Sequence, residues 1–131
     1  MAELTSETSE SLIERRRLPR LQMRVPIQFR NVLKPHEVFS GSLSRDVSAS
    51  GVRVSTSNFL PKEARLVLLV FMPELLKPIR LIARVAWMQK QRFTENYDCG
   101  FQFVEITPED RRTIAELVER GVIIPEAPQA S

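Results

Sequence analysis

Two short stretches of this chain carry residue types that can hold an anionic, hydrogen-bonding ligand. The first is Arg16-Arg17-Leu18-Pro19-Arg20, an RxxxR spacing with a further arginine, Arg15, immediately ahead of it. A guanidinium is planar, permanently charged and forked, so it suits phosphate oxygens and the Hoogsteen edge of guanine better than an ammonium does. Pro19 disfavours helical geometry at Leu18, and the segment therefore reads as extended or turning. Four residues of extended chain span up to about 13 Å. That is enough for Arg16 and Arg20 to grip separate groups of one dinucleotide-sized ligand, or to clamp around it. A solvated basic linker would use the same residues, and a spacing this short is often met by chance.

The second stretch is Asp46-Val47-Ser48-Ala49-Ser50-Gly51, a DxSxxG pattern between two strand-like runs. In an extended chain Asp46 and Ser48 project to one side while Val47 points to the other and can join a core. An ionised carboxylate only accepts hydrogen bonds, which matches the paired N1–H and N2–H donors of guanine, and a serine hydroxyl serves either a base or a phosphate. Gly51 fits a backbone position that needs positive φ or the close approach of a ligand. Asp, Ser and Gly are also what ordinary tight corners use.

Charge is distributed to match the first stretch. Between Arg15 and Arg30 there are six arginines and no acid; removing those six from the net charge of +3 leaves −3 on the rest of the chain. One segment therefore carries the positive field. At 131 residues, 43% hydrophobic and 27% charged, the chain has the composition of one domain with its own core. No apolar run approaches about 18 residues and no basic start with an apolar h-region opens the chain, so neither a membrane span nor a signal peptide is expected, and a cytoplasmic location is. With Cys99 as the only cysteine and His36 as the only histidine, an intramolecular disulfide and a Cys/His metal site are both excluded.

The elements that must position these residues are mostly strands. Val25, Ile27 and Phe29 alternate within Met23 to Arg30; Phe39 to Val47 and Val52 to Ser55 follow, with turn-forming residues at Asn31 to His36 and Ser48 to Gly51. Leu66 to Met72 is continuously apolar, as expected of a strand buried on both faces, and Pro73 closes it. Ile79, Leu81, Ala83, Val85 and Trp87 share one face of a long strand, opposite Arg80 and Arg84, and Tyr97, Cys99, Phe101 and Phe103 repeat the pattern. Thr107-Pro108-Glu109-Asp110 starts a helix with a capping hydroxyl, a proline at the first position and acids in the first turn. Gly121 ends it, and Ile114, Leu117 and Val118 form an apolar face that can close a barrel end or cover an edge. The expectation is a mainly β protein: a six-stranded antiparallel β-barrel with a C-terminal α-helix. A flexible lead over residues 1–14 precedes the domain at 15–120, and a flexible tail covers 121–131.

Taken together, RxxxR just before a six-stranded barrel, DxSxxG between the second and third strands, and a late strand carrying Gly100-Phe101-Gln102-Phe103 before a helix resemble the PilZ domain family. The resemblance covers residues 15 to 120. It implies a bacterial receptor for cyclic di-GMP in which Arg16 and Arg20 contact phosphates and guanine faces, Asp46 and Ser48 read a guanine, and Gly51 shapes the turn. In that family an arginine at the position of Arg15 accompanies a stacked pair of ligands, which implies two cyclic di-GMP molecules per protomer. Mutual repulsion would keep the arginine lead mobile until the ligand folds it onto the barrel rim, and the signal would pass to a separate effector protein governing motility, pili or exopolysaccharide. A ligand-independent PilZ-like adaptor is the alternative.

The other candidates read plainly. Trp87, Phe101 and Phe103 alternate with polar neighbours, a core-packing pattern, whereas stacking platforms set aromatics beside basic residues on an exposed face. Cys99 belongs to the same inward series and is expected to be inert. His36 sits in a polar loop with no partner for catalysis, so no enzyme is expected and no cofactor is required. The charged face of the final helix, with both signs, reads as solvated surface. DNA or RNA binding would spread cations along a groove-sized surface, and here they are packed into one stretch.

Overall fold

A computed structural model describes residues 24–121. Arg15, Arg16 and Arg20, together with the predicted lead and most of the predicted tail, lie outside the described residues. Six strands follow one another: β1 (Pro26–Asn31), β2 (Ser40–Val47), β3 (Gly51–Thr56), β4 (Arg65–Val70), β5 (Ile79–Lys90) and β6 (Tyr97–Glu105), then α1 (Pro108–Glu119). Every pairing is antiparallel and the order β1-β2-β3-β6-β5-β4 closes on itself through β1 and β4. The expected barrel with a C-terminal helix is what the chain forms. Closure pairs all six strands and leaves the sheet without an open edge.

Alternation decides what is inside. Ile27 and Phe29 are buried while Pro26 and Gln28 face out; Ile79, Leu81, Ala83 and Val85 are buried beside exposed Arg80. On β4, Val67 is buried although its neighbours Leu66 and Leu68 point into the core, and Leu69 is half-buried, which accounts for the unbroken apolar run. Cys99 is fully buried; burial first, then the charge of Asp98, pushes its thiol from 9.0 up to about 12.

Helix α1 begins as its residues dictate. Thr107 caps it by accepting a hydrogen bond from the Asp110 amide at 3.1 Å, Pro108 occupies the first turn, and Gly121 follows the helix with φ +63°. Ile114, Leu117 and Val118 join the same core cluster as Val25, Met72 and Phe103. With no edge to cover, the helix caps a barrel end. In an antiparallel barrel the start of β1, the β2–β3 corner, the β4–β5 connection and the exit of β6 all share one end. Arg111 Nη1 donating to Ala49 O at 3.1 Å and the Arg120–Glu74 ion pair at 3.7 Å tie α1 to that end.

One expectation fails. Trp87 does not continue the inward series of β5, and it is 40% exposed. Val85 pairs with Phe101 and Trp87 with Gly100, so one extra residue, Ala86, is accommodated between them as a bulge. A one-residue insertion reverses the facing of everything beyond it. Trp87 therefore turns outward, and Met88 packs against the core in its place.

Candidate functional site

Another bulge lies on β2, separated from the one on β5 by the two strands β3 and β6. Ser44 pairs with Val54 and Asp46 with Arg53, leaving Arg45 as the extra residue of β2. Without it Asp46 would point into the barrel and Val47 out. With it Val47 is fully buried and Asp46 lies on the outer face opposite Arg53. The register then runs Asp46, Arg53, Gly100, Trp87 in one row across β2, β3, β6 and β5. The two bulges bring an acid and an indole to the same outer surface.

That row floors a groove of about 450 Å³, whose lining includes Asp46, Ser50, Gly51, Arg53, Trp87 and Gln102. Arg53 Nε lies 3.0 Å from Oδ2 of Asp46, whose side chain is only 10% exposed. The Nε–H makes no aligned hydrogen bond, so attraction between charges rather than a directed bond holds the pair. Gln102 is fixed from the other side: Arg84 Nε donates to its Oε1 at 2.7 Å, and the same guanidinium reaches Glu63 Oε2 at 2.7 Å.

Two glycines make the groove possible. A Cβ on Gly100 would come within 2.7 Å of indole Cε2, so the ring of Trp87 lies across that backbone. At Gly51 a Cβ would sit 2.5 Å from the carbonyl oxygen of Phe101, so the demand for glycine comes from the neighbouring strand; among the described glycines only Gly121 has positive φ.

The corner is tightly bonded. The Ser48 amide donates to Gly51 O at 2.9 Å, the Ser50 amide donates to Ser48 Oγ at 3.2 Å, and the Phe103 amide donates to Ser50 O at 2.9 Å. Ser48 is fully buried and does not line the groove, whereas Asp46 and Gly51 do. Of the residues singled out from sequence, Asp46 and Gly51 meet at the groove, whereas Ser48 is buried in the corner behind it and does not share the face of Asp46 as the extended-chain reading expected; Arg15, Arg16 and Arg20 fall outside the described residues. The segment just before β1 is bonded to β2 ahead of this corner: the Val25 amide donates to Ser44 Oγ and the Ser44 amide to Val25 O, each at 2.9 Å.

Sequence reasoning missed Arg53, Trp87, Gly100 and Gln102. Arg53 was legible as the outward residue of Val52-Arg53-Val54. A glycine inside a strand pattern, Gly100, is itself a signal of close approach. Among the described residues no group of three or more His, Cys, Asp or Glu side chains is arranged to hold a metal, and no helix is long and apolar enough to cross a membrane.

Comparison with known proteins agrees with this architecture. The structure is similar to that of the Bacillus subtilis inhibitor of motility MotI (TM-score 0.69, 21% identity, covering 82% of this chain and 51% of that one). It is similar to the PilZ domain of Escherichia coli YcgR solved with c-di-GMP (TM-score 0.62, 15% identity, 82% and 91%). It is also similar to the c-di-GMP complex of MrkH from K. pneumonia (TM-score 0.62, 23% identity, 81% and 52%). The chain thus spans about half the length of MotI and MrkH. No curated protein matches the sequence. The PilZ domain family matches residues 14–120, most of the chain including both motifs, and the protein belongs to that family.

Proposed function

We propose that this chain is a receptor for cyclic di-GMP, bound in the groove over the Asp46–Trp87 row. The observation that carries this reading is the row itself: a carboxylate and an indole on one outer face, with the carboxylate on β2, the strand bonded to the segment that follows the arginine lead. The occurrence of c-di-GMP in the similar YcgR and MrkH structures supports the same ligand here. Asp46 accepts from the N1–H and N2–H of a guanine, and Trp87 offers its face to a base. Ser48 and Gly51 hold the corner that presents Asp46.

The arginines complete the site from outside the described residues. Arg20 stands four residues before Arg24 and Arg16 eight before it, reaches of up to about 13 and 27 Å along extended chain. Both spans are long enough to bring guanidinium groups to the groove. Ligand phosphates then neutralise the repulsion within the lead and fold it onto the rim, and Arg15 adds the charge that a stacked pair of ligands requires. The changed surface signals to a separate effector protein.

Thermal melting of the full chain with cyclic di-GMP, cyclic di-AMP and GTP tests the assignment. At 100 times Kd a ligand stabilises the native state by about 2.7 kcal/mol, which raises Tm by roughly 10 °C in a domain of this size. A rise with cyclic di-GMP alone is expected. An unchanged Tm, or an equal rise with all three, counts against a cyclic di-GMP receptor and leaves the ligand-independent adaptor.

A further inference from the structure

The barrel end away from α1 is made of three connections, residues 32–39, 57–64 and 91–96. Five large apolar side chains on them are open to water: Val32 (38%), Leu33 (86%), Val38 (88%), Phe59 (67%) and Phe93 (99%). Scattered apolar residues are ordinary on a surface, whereas a group collected at one end marks an interaction site. Val38 and Phe59 line the same groove, about 660 Å³, between the first two connections. Phe93 adds a backbone cost, since its φ of 62° is a left-handed conformation that a bulky side chain rarely adopts and that no burial of its ring offsets.

The charges of this barrel end are unbalanced. Glu37 is engaged by Lys34 at 3.8 Å and Glu63 by Arg84 at 2.7 Å, leaving Glu95 as the remaining acid of these connections. Arg30, Lys62 and Arg92 have no acid within ion-pair distance among the described residues. Arg30 lines the groove with its guanidinium carbon 4.5 Å from the Phe39 ring centroid, and its Nε is buried without a hydrogen-bond partner. The Arg30 guanidinium stands at the groove with no carboxylate of the described residues against it, and a carboxylate is the strongest acceptor for that group.

We infer that this end docks a partner protein through an acidic segment bearing an apolar anchor. The anchor enters the groove between Val38 and Phe59, a carboxylate of the segment meets Arg30, and Leu33 and Phe93 pack around the contact. Concavity selects a protein over a lipid surface, because a bilayer has no single protruding side chain to fill a groove bounded by two loops. The surface lies at the opposite end of the barrel from the Ser48–Gly51 corner, so it stands independently of the ligand assignment and both can be occupied together.

The test uses the full 131-residue chain, ¹⁵N-labelled and titrated with a short peptide alternating Glu with Leu and Phe. The same peptide with Lys in place of Glu, and phosphatidylglycerol vesicles, serve as the other arms. Amide shifts confined to the three connections with the Glu peptide, and absent with the Lys peptide, are expected. Arg30→Glu and Phe59→Ser should each weaken that binding about tenfold or more, as loss of an interface anchor does. Leu33→Ser and Phe93→Ser change side chains that make little contact with the barrel; they should leave Tm unchanged while weakening the peptide. Absent or scattered shifts, or equal binding of both peptides, would overturn the inference. Preferential capture by the vesicles, lost in Phe93→Ser, would overturn it in favour of a lipid-facing surface.

Discussion

Trp87 and Gly100 face each other across the β5–β6 ladder, with the indole laid over the one residue of its row that has no side chain. Nothing else in that row would admit a flat ring against the sheet. The indole is held in place by backbone and stays 40% exposed at the groove.

Replacing Trp87 with Ala should therefore weaken cyclic di-GMP by about 1–3 kcal/mol, the range for one aromatic–base stack, while Tm of the unliganded protein changes little. Gly100→Ala should weaken the ligand in the same direction by pushing the ring off its seat. Trp87 is the chain's single tryptophan, so its fluorescence reports both binding and the displaced ring directly. Full affinity in Trp87→Ala would remove the indole from the site.

Asp46→Asn keeps the shape of the side chain but replaces a charged acceptor with a group that also donates. It should lower affinity for cyclic di-GMP by about 2 kcal/mol, the scale of a charge-assisted hydrogen bond, as read by calorimetric titration. Arg53→Gln removes the cation 3.0 Å from that carboxylate and should weaken binding less, because it leaves the acceptor in place.

For the arginine lead, Arg16→Ala and Arg20→Ala should each lower affinity by about 2 kcal/mol and flatten its dependence on salt concentration. Arg15→Ala is expected to act on stoichiometry, taking the calorimetric ratio from two ligands per protomer to one. A ratio of one in the unaltered protein would exclude the stacked pair.

The thiol of Cys99 makes a pH prediction whose sign follows from burial. Its value in the folded protein, about 12, lies above the ordinary 9.0, so the neutral thiol is the form the fold prefers. Stability from this group is fully present below pH 9.0 and is lost progressively as pH rises toward about 12. Denaturant titrations across that window should show the fall, and Cys99→Ala should reduce it. In the native protein at neutral pH the thiol should resist a disulfide reagent that modifies it after unfolding.

Strand order along the chain, the capped helix, the core positions and the family were all legible in the residues themselves, because each rests on short-range signals. Alternation in Ile27 and Phe29, the Thr107 cap and the DxSxxG corner concern neighbours within a few positions. The same local logic misplaced Trp87. Period-two alternation holds only while the register holds, and a bulge is a property of two strands that are distant in sequence.

Tertiary structure alone decided which outward residues meet. The extra residues Arg45 and Ala86 rotate Asp46 and Trp87 onto one face, and pairing of β3 with β6 inserts Arg53 and Gly100 between them. Residues 46 and 87 share no local signal, so their meeting depends on the closed sheet. Sequence by itself determined the chemistry available to this protein; barrel closure and two one-residue bulges determined where that chemistry converges, since a side chain's facing is set by its strand's register against its neighbours.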